Sequence, residues 1–278
     1  MDLSLKSKII LIAGPTASGK SGFAIKLANK NGADVIIIDH HIADEVLPPA
    51  LAIINPKRQD ETSKLDYLCA AGVVFLFLVS VTRLLRKSDT NTPEIMNFLD
   101  LVGLATVADV VPLVQLNRAF VTQGLKILAK RCRPGLVALI DEANIRTQPT
   151  SYHLGFLLAP RINAAGRLAD ATMAVDLFTT RSDIKALGIA RELNEFNLQR
   201  RIFENEVYNE ALAQIELQQK KGNDSVIWVV RPHWHPGVIG IVASKLSEKF
   251  NVPSFVFCVN DKGLAIGSAR SVPGVDIG

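Results

Sequence analysis

The sequence has 278 residues, 48% apolar and 6% aromatic, with 31 basic against 27 acidic side chains for a formal charge of +4. That length excludes a disulfide-stapled mini-protein and favours two domains over one. The composition excludes a disordered or collagen-like chain, and the mild basic excess permits a polyanionic partner without requiring one. Cys69, Cys132 and Cys258 stand far apart and match no metal-ligand spacing, so they read as reduced thiols of a cytoplasmic protein. Lys6 and Lys8 precede an apolar run, residues 9–13, that is too short for a signal-peptide core. Residues 70–81, A-A-G-V-V-F-L-F-L-V-S-V, fall short of the ~20 apolar residues a membrane span needs. They read as a buried core helix reaching solvent at Arg83 and Arg86, and no membrane partner is expected.

Residues 8–13, K-I-I-L-I-A, predict a strand, and residues 20–29 a helix. Between them, Gly14-Pro-Thr-Ala-Ser-Gly19-Lys20-Ser21 fits the phosphate-binding loop G-x-x-x-x-G-K-[ST] at every fixed position. Backbone N–H groups of such a loop cradle phosphates, a lysine at the place of Lys20 reaches the outer phosphates, and a serine at the place of Ser21 holds magnesium. The wording G-P-T-A-S-G-K-S resembles the start of the tRNA dimethylallyltransferases, a family that transfers an isoprenoid to a tRNA adenine. The D-S-x-Q-V-Y segment that bears that family's general base does not follow. The alternative is a loop that keeps the shape and serves no reaction, and ATP is not an expected ligand.

The next strand, residues 34–39, carries the start of the run V-I-I-I-D-H-H at 35–41, whose β-branched residues suit a buried parallel strand. Strand 8–13, helix 20–29 and strand 34–39 are expected to form one right-handed βαβ crossover. Asp39, His40 and His41 then lie at the carboxyl end of the strand, where open α/β sheets bind ligands. An imidazole ligates a metal through one ring nitrogen while a carboxylate fixes the proton on the other. Taken alone, the triplet also reads as a strand end with partly exposed polar residues.

From residue 32 onward several separate stretches act together. They are Asp39-His40-His41, the L-P-P-A-L-A-I-I-N-P-K run ending at Lys57, and G-L-A-T-V-A-D-V-V-P-L around Asp109. Further on come Pro160-Arg161-Ile-Asn163-Ala-Ala-Gly166-Arg167-Leu168, Trp234-His235-Pro-Gly237-Val-Ile-Gly240, and Gly267-Ser268-Ala-Arg270-Ser271. In this order they resemble the RecJ-type exonucleases of the DHH phosphoesterase family. The resemblance implies an α/β fold in which a parallel-sheet DHH phosphoesterase domain is joined by a long helix to a smaller α/β DHH-associated C-terminal domain. It places a P-loop segment at 1–31, the DHH domain, incomplete, at 32–181, the connecting helix at 182–221 and the truncated C-terminal domain at 222–278.

The implied activity is 5′→3′ hydrolysis of single-stranded DNA assisted by manganese or magnesium. The implied metal ligands are His40 and Asp109. His41 would face the scissile phosphate and Asp39 orient the pair, which makes these two the catalytic candidates. Arg161, Asn163, Arg167, His235, Gly237, Ser268 and Arg270 are the implied DNA-binding residues. Asp109 alone would read as a turn aspartate after an apolar strand. The family's D-Y-D-x-D-G motif, its bridging aspartate and its closing glycine-rich motif find no counterpart, so impaired cleavage is expected. A non-cleaving single-stranded nucleic-acid or nucleotide-binding protein and a P-loop transferase fragment are the alternatives.

Residues 182–221 read as a polar helix with apolar positions Leu187, Leu193, Phe196, Phe203, Val207, Leu212 and Ile215, its start open to interruption at Gly188. Its Arg191, Arg200 and Arg201 line a strand-binding groove or a solvated face. Beyond it the pattern predicts a strand at 226–230, a helix at 237–250 and a strand at 254–259. The start of that helix offers N–H groups to a phosphate. His233 and His235 read as loop residues.

Overall fold

The structure, a computed structural model, describes residues 9–14, 19–88, 91–219 and 225–277. The chain divides into two compact units, Met1–Pro160 and Arg161–Gly278.

In the first unit, helix α1 (Lys20–Asn31) forms where the pattern placed it, between Gly19 and Gly32, both in the left-handed region. The strand expected at 8–13 does not form over its described part. Residues 9–14 have no regular structure, and Ile9 and Leu11 are 93% and 90% exposed. Strand propensity needs a neighbouring ladder to act on, and the ladder is made elsewhere. Strand β1 (Ile36–Ile38) pairs in parallel with β2 (Ala52–Ile54), in the register Ile36↔Ala52 to Ile38↔Ile54. The expected βαβ crossover is therefore replaced by a two-stranded parallel pair joined through residues 39–51, which contain no helix.

Ile38 and Ile54 pack against a core built from Leu68, Val73, Phe75, Leu99, Val102 and Phe120. Val73 and Phe75 come from α2 (Ala70–Lys87), the apolar helix expected there. Among the described residues no helix is long and apolar enough to cross a membrane. Helices α3 (Leu99–Ala108) and α4 (Gln115–Leu128) cross at backbone contact. A Cβ on Gly124 would stand 2.3 Å from the Leu99 carbonyl oxygen, so only glycine admits the crossing. Asp100 on α3 is 5% exposed and accepts from Arg133 Nε at 2.9 Å, tying α3 to the start of α5 (Pro134–Glu142).

The stretch before Asp109 is helix, not strand: Asp109 caps the C-terminus of α3. Apart from Asp100 and Thr106 the run is apolar, so periodicity does not separate a buried helix from a buried strand, and the length of ten residues decides for helix. A π-helical turn, His153–Leu158, leads into α6 (Ala159–Leu168).

The second unit contains α7 (Thr172–Thr179) and the long α8 (Asp183–Gln219). Its sheet has the order β3 (Ile227–Pro232), β4 (Ser254–Val259), β5 (Ala265–Arg270), with β3–β4 parallel and β4–β5 antiparallel. Helix α9 (Pro236–Phe250) and the C-terminal part of α8 cover it, burying Val229, Val238, Val242, Leu246, Val256 and Ile215 together. Gly188 does not interrupt α8, whose 37 residues at 1.5 Å each run ~55 Å. Its buried face also departs from the apolar positions. Leu187 and Phe203 are 38% and 37% exposed, while Asn197 and Glu204 are buried.

Candidate metal centre and anion-binding cluster

The parallel strand β1 ends at Ile38 and hands the chain to Asp39, whose amide still donates to Ile54 O at 3.1 Å. The next two residues fold back on the Asp39 side chain. Asp39 Oδ1 accepts from the amides of His40 at 2.7 Å and His41 at 3.3 Å, and lies 2.7 Å from His41 Nδ1. A carboxylate accepts only, so His41 Nδ1 carries the proton of that bond. Burial acts to raise the Asp39 pKa, but the His41 ring and the two amides outweigh it and hold the carboxyl below its ordinary value.

Asn55, just past β2, fixes the far side of the loop. Its Nδ2 donates to His41 O at 2.9 Å, and its Oδ1 accepts from the Lys57 amide at 2.9 Å. This explains the N-P-K turn of the sequence: the asparagine staples two loops through one side chain.

His40 lies inward. Its Nδ1 is buried without a hydrogen-bond partner and stands 3.5 Å from Asp109 Oδ2. At that separation the two atoms do not form a hydrogen bond. Burial pushes the His40 pKa down, Asp109 opposes it, and the charges of His41 and Lys57 add to the fall. The ring is thus kept in its neutral, ligating form. Ligand atoms of Asp39, His40 and His41 all lie within 4.8 Å of one another. A buried imidazole nitrogen lacking a partner, a carboxylate facing it and a second imidazole beside it form a donor set that fits a divalent ion of the manganese or magnesium kind. Helix α3 brings Asp109 to this place from a distant part of the sequence.

In the second unit the sequence candidates gather around the N-terminus of α9. His235 caps it, its Nδ1 accepting from the Gly237 amide at 3.0 Å, and its ring stacks on Phe203 with centroids 5.5 Å apart. A Cβ on Gly237 would lie 2.5 Å from the Arg167 carbonyl oxygen, so the glycine lets α9 touch α6. The Arg167 side chain returns the contact, donating to Gly237 O at 3.1 Å. Ser268 and Arg270 on β5 face the same helix, where a Cβ on Gly240 would come 3.0 Å from Ser268 Oγ and 3.6 Å from Arg270 Nη2. Burial and the positive charges of Arg200 and Arg270 lower the Arg167 pKa, while Glu204 opposes them. Arg161 Nε donates to Asn194 Oδ1 on α8 at 3.0 Å, and Asn163 is exposed on α6. Cations gathered at the positive end of a helix dipole suit an anion, although the first N–H groups of α9 are already used, Gly237 N by His235 Nδ1 and Val238 N by His235 O at 3.1 Å. His233 stays in a loop, with φ of 69°.

The P-loop candidates are not assembled into a described site. Gly14 lies in irregular chain, Gly19 precedes α1, and Lys20 and Ser21 open it. Pro15, Thr16, Ala17 and Ser18 lie outside the described residues. Sequence reasoning gave no role to Asn55, although it lies in the quoted run ending at Lys57, and missed Asn197 and Glu204, which belong to no motif; all three act through hydrogen bonds from buried side chains.

Residues 14–106 match the family model described as the DHH family, N-terminal domain, and that match begins inside the P-loop segment. The single-stranded-DNA-specific exonuclease RecJ of Dickeya dadantii is 37% identical over 261 residues, which is 90% of this chain and 45% of that protein. Among solved structures, exonuclease RecJ bound to manganese aligns with a TM-score of 0.74 at 30% identity over 92% of this chain and 61% of that one. RecJ from Thermus thermophilus in complex with Mn2+ aligns with a TM-score of 0.74 at 31% identity over 95% of this chain and 37% of that one. The α/β fold is that of the RecJ structures. The chain spans less than half the length of the curated relatives it matches.

Proposed function

We propose that this chain is a RecJ-like nuclease that hydrolyses single-stranded DNA from its 5′ end with a divalent metal, manganese or magnesium. The observation that carries the reading is the buried His40 Nδ1, which lacks a hydrogen-bond partner and faces Asp109 at 3.5 Å. A neutral imidazole nitrogen buried without a partner costs stability unless a ligand satisfies it. His40 and Asp109 would hold the ion. When bound, the ion supplies Lewis-acid stabilisation of the phosphate and a water of lowered pKa.

The chain's own groups do the remainder. Asp39 fixes His41 through Nδ1, so that the ring donates to a phosphate oxygen from Nε2 only in its imidazolium form, with both nitrogens protonated. Arg167, Ser268 and Arg270, beside the start of α9, take the 5′ phosphate, with Arg161, Asn163, His235 and Gly237 along the strand. Arginine suits this role because its fork of donors matches phosphate oxygens.

The reaction is slow in this chain. Two-metal hydrolysis places one ion at the attacking oxygen and one at the leaving oxygen, ~3.5–4 Å apart. Among the described residues, Asp39, His40 and His41 form the one cluster able to hold a metal, with Asp109 beside it. Digestion of single strands with manganese, with His40→Ala as control, tests the reading. Slow release of label, absent in the variant, is expected. Label release that is equal in His40→Ala would overturn the metal assignment. Rapid release that disappears in the variant would overturn the slow rate.

A further inference from the structure

The buried side of α8 runs through Leu193, Asn197, Arg200, Glu204, Val207 and Ala211, at the three- and four-residue spacing of one helix face. Leu193, Val207 and Ala211 at its ends are apolar, but the middle is polar. Asn197 is 5% and Glu204 6% exposed, positions at which leucine would pack at lower cost. A carboxylate is retained in such a place only with partners, and Glu204 has two. Its Oε2 accepts from Arg200 Nη1, and its Oε1 from Lys245 Nζ on α9. Arg200 is held on its other side by Asn197 Oδ1, through Nε at 3.3 Å and Nη2 at 3.2 Å. The Lys245 ammonium also lies over the Tyr208 ring, 5.5 Å from its centroid. One residue before Glu204, Phe203 stacks on the ring of His235, which caps the helix start that Arg167 bonds.

We propose that Glu204 is a positioning residue for the anion-binding cluster: one buried carboxylate pins Arg200 and Lys245 and offsets the repulsion among Arg167, Arg200 and Arg270. Cations gathered for a phosphate repel one another before it arrives. A buried carboxylate on a rigid helix cancels part of that repulsion without reaching the solvent edge where the phosphate binds. Glu204 thereby sets the discrimination of a phosphorylated 5′ end from a hydroxyl end, and does so without touching the DNA. The inference rests on the end-binding role given above to Arg167, Ser268 and Arg270.

The test is fluorescence anisotropy of the full chain with 5′-phosphorylated and 5′-hydroxyl oligothymidine, in EDTA so that no strand is cut. Glu204→Gln keeps the shape and removes the charge. The preference for the phosphorylated strand should fall about fivefold, while affinity for the hydroxyl strand stays within about twofold, because only the charge-assisted contacts to the terminal phosphate are misplaced. A glutamate that only holds α8 to α9 would weaken both strands alike and lower Tm, leaving the preference unchanged; that result overturns the proposal. If the variant does not fold, Lys245→Met removes one arm and leaves the Arg200 pair. It should cut the preference about twofold, and an unchanged preference again overturns the proposal. A wild-type chain that binds both strands equally would overturn the end-binding reading itself and this inference with it. A wild-type preference that Glu204→Gln leaves intact overturns only the part given to Glu204.

Discussion

The two units build their sites in opposite ways. The centre of the first unit is nearly contiguous: three successive residues fold around one carboxylate oxygen, and one aspartate arrives from the end of α3. The cluster of the second unit is assembled from α6, α8, α9 and β5, none of which supplies more than a few of its groups. The first concentrates imidazole and carboxylate, the chemistry of cations. The second concentrates guanidinium groups at the positive end of a helix dipole, the chemistry of anions. The difference teaches that a compact site depends on its loop and a dispersed one on the packing of helices, so the two should fail under different substitutions.

The largest effects should come from the backbone crossings. Gly124→Ala drives a Cβ into the Leu99 carbonyl in the first unit, and Gly237→Ala drives one into the Arg167 carbonyl in the second. Each should cost about 3 kcal/mol, the upper range for overpacking, read as a lower urea midpoint. Gly237→Ala should weaken DNA binding with manganese binding kept, and Gly124→Ala the reverse. Loss of both functions in either variant would break the contrast.

This contrast also sets what can be read from the residues alone. The D-H-H loop is legible because its ligands are adjacent and sit after a recognisable strand. The helices α1, α2 and α9 and the strands β1, β3 and β4 are legible from periodicity and length. The strand expected at 8–13 fails because five apolar residues carry propensity but no information about a neighbouring strand. The alternative of an apolar strand before Asp109 fails, and periodicity could not have decided it, because a mostly apolar run has no clear period. The buried face of α8 misleads for the opposite reason: Asn197 and Glu204 occupy core positions, so hydrophobic patterning points to Leu187 and Phe203, which are more than a third exposed. Strand β5 is recognisable only as a motif, since its exposed, glycine-containing sequence gives little strand signal.

Smaller effects sharpen the comparison at each site. His40→Ala should weaken manganese binding more than tenfold, read by calorimetry. It should leave DNA affinity in EDTA within about twofold, because no phosphate contact is assigned to it. Arg270→Ala should do the converse. Affinity for a 5′-phosphorylated strand should drop about tenfold, and that for a hydroxyl strand much less, since a charge-assisted bond to a terminal phosphate is removed. Equal losses on both strands would remove Arg270 from the end site. Smallest of all, Arg167→Gln should reduce the slope of log affinity against log salt by about 0.7, the value for one phosphate contact on a single strand. An unchanged slope would place Arg167 among the structural residues of the α6–α9 contact.

The central claim is that the D-H-H loop and Asp109 make a metal centre of limited occupancy. Electron paramagnetic resonance of free manganese, titrated with the full chain, counts the bound ions directly. The account predicts about one ion per chain, abolished in His40→Ala and weakened in Asp109→Asn, because affinity follows the number and geometry of ligands. Two tightly bound ions, or one that survives both substitutions, would contradict it.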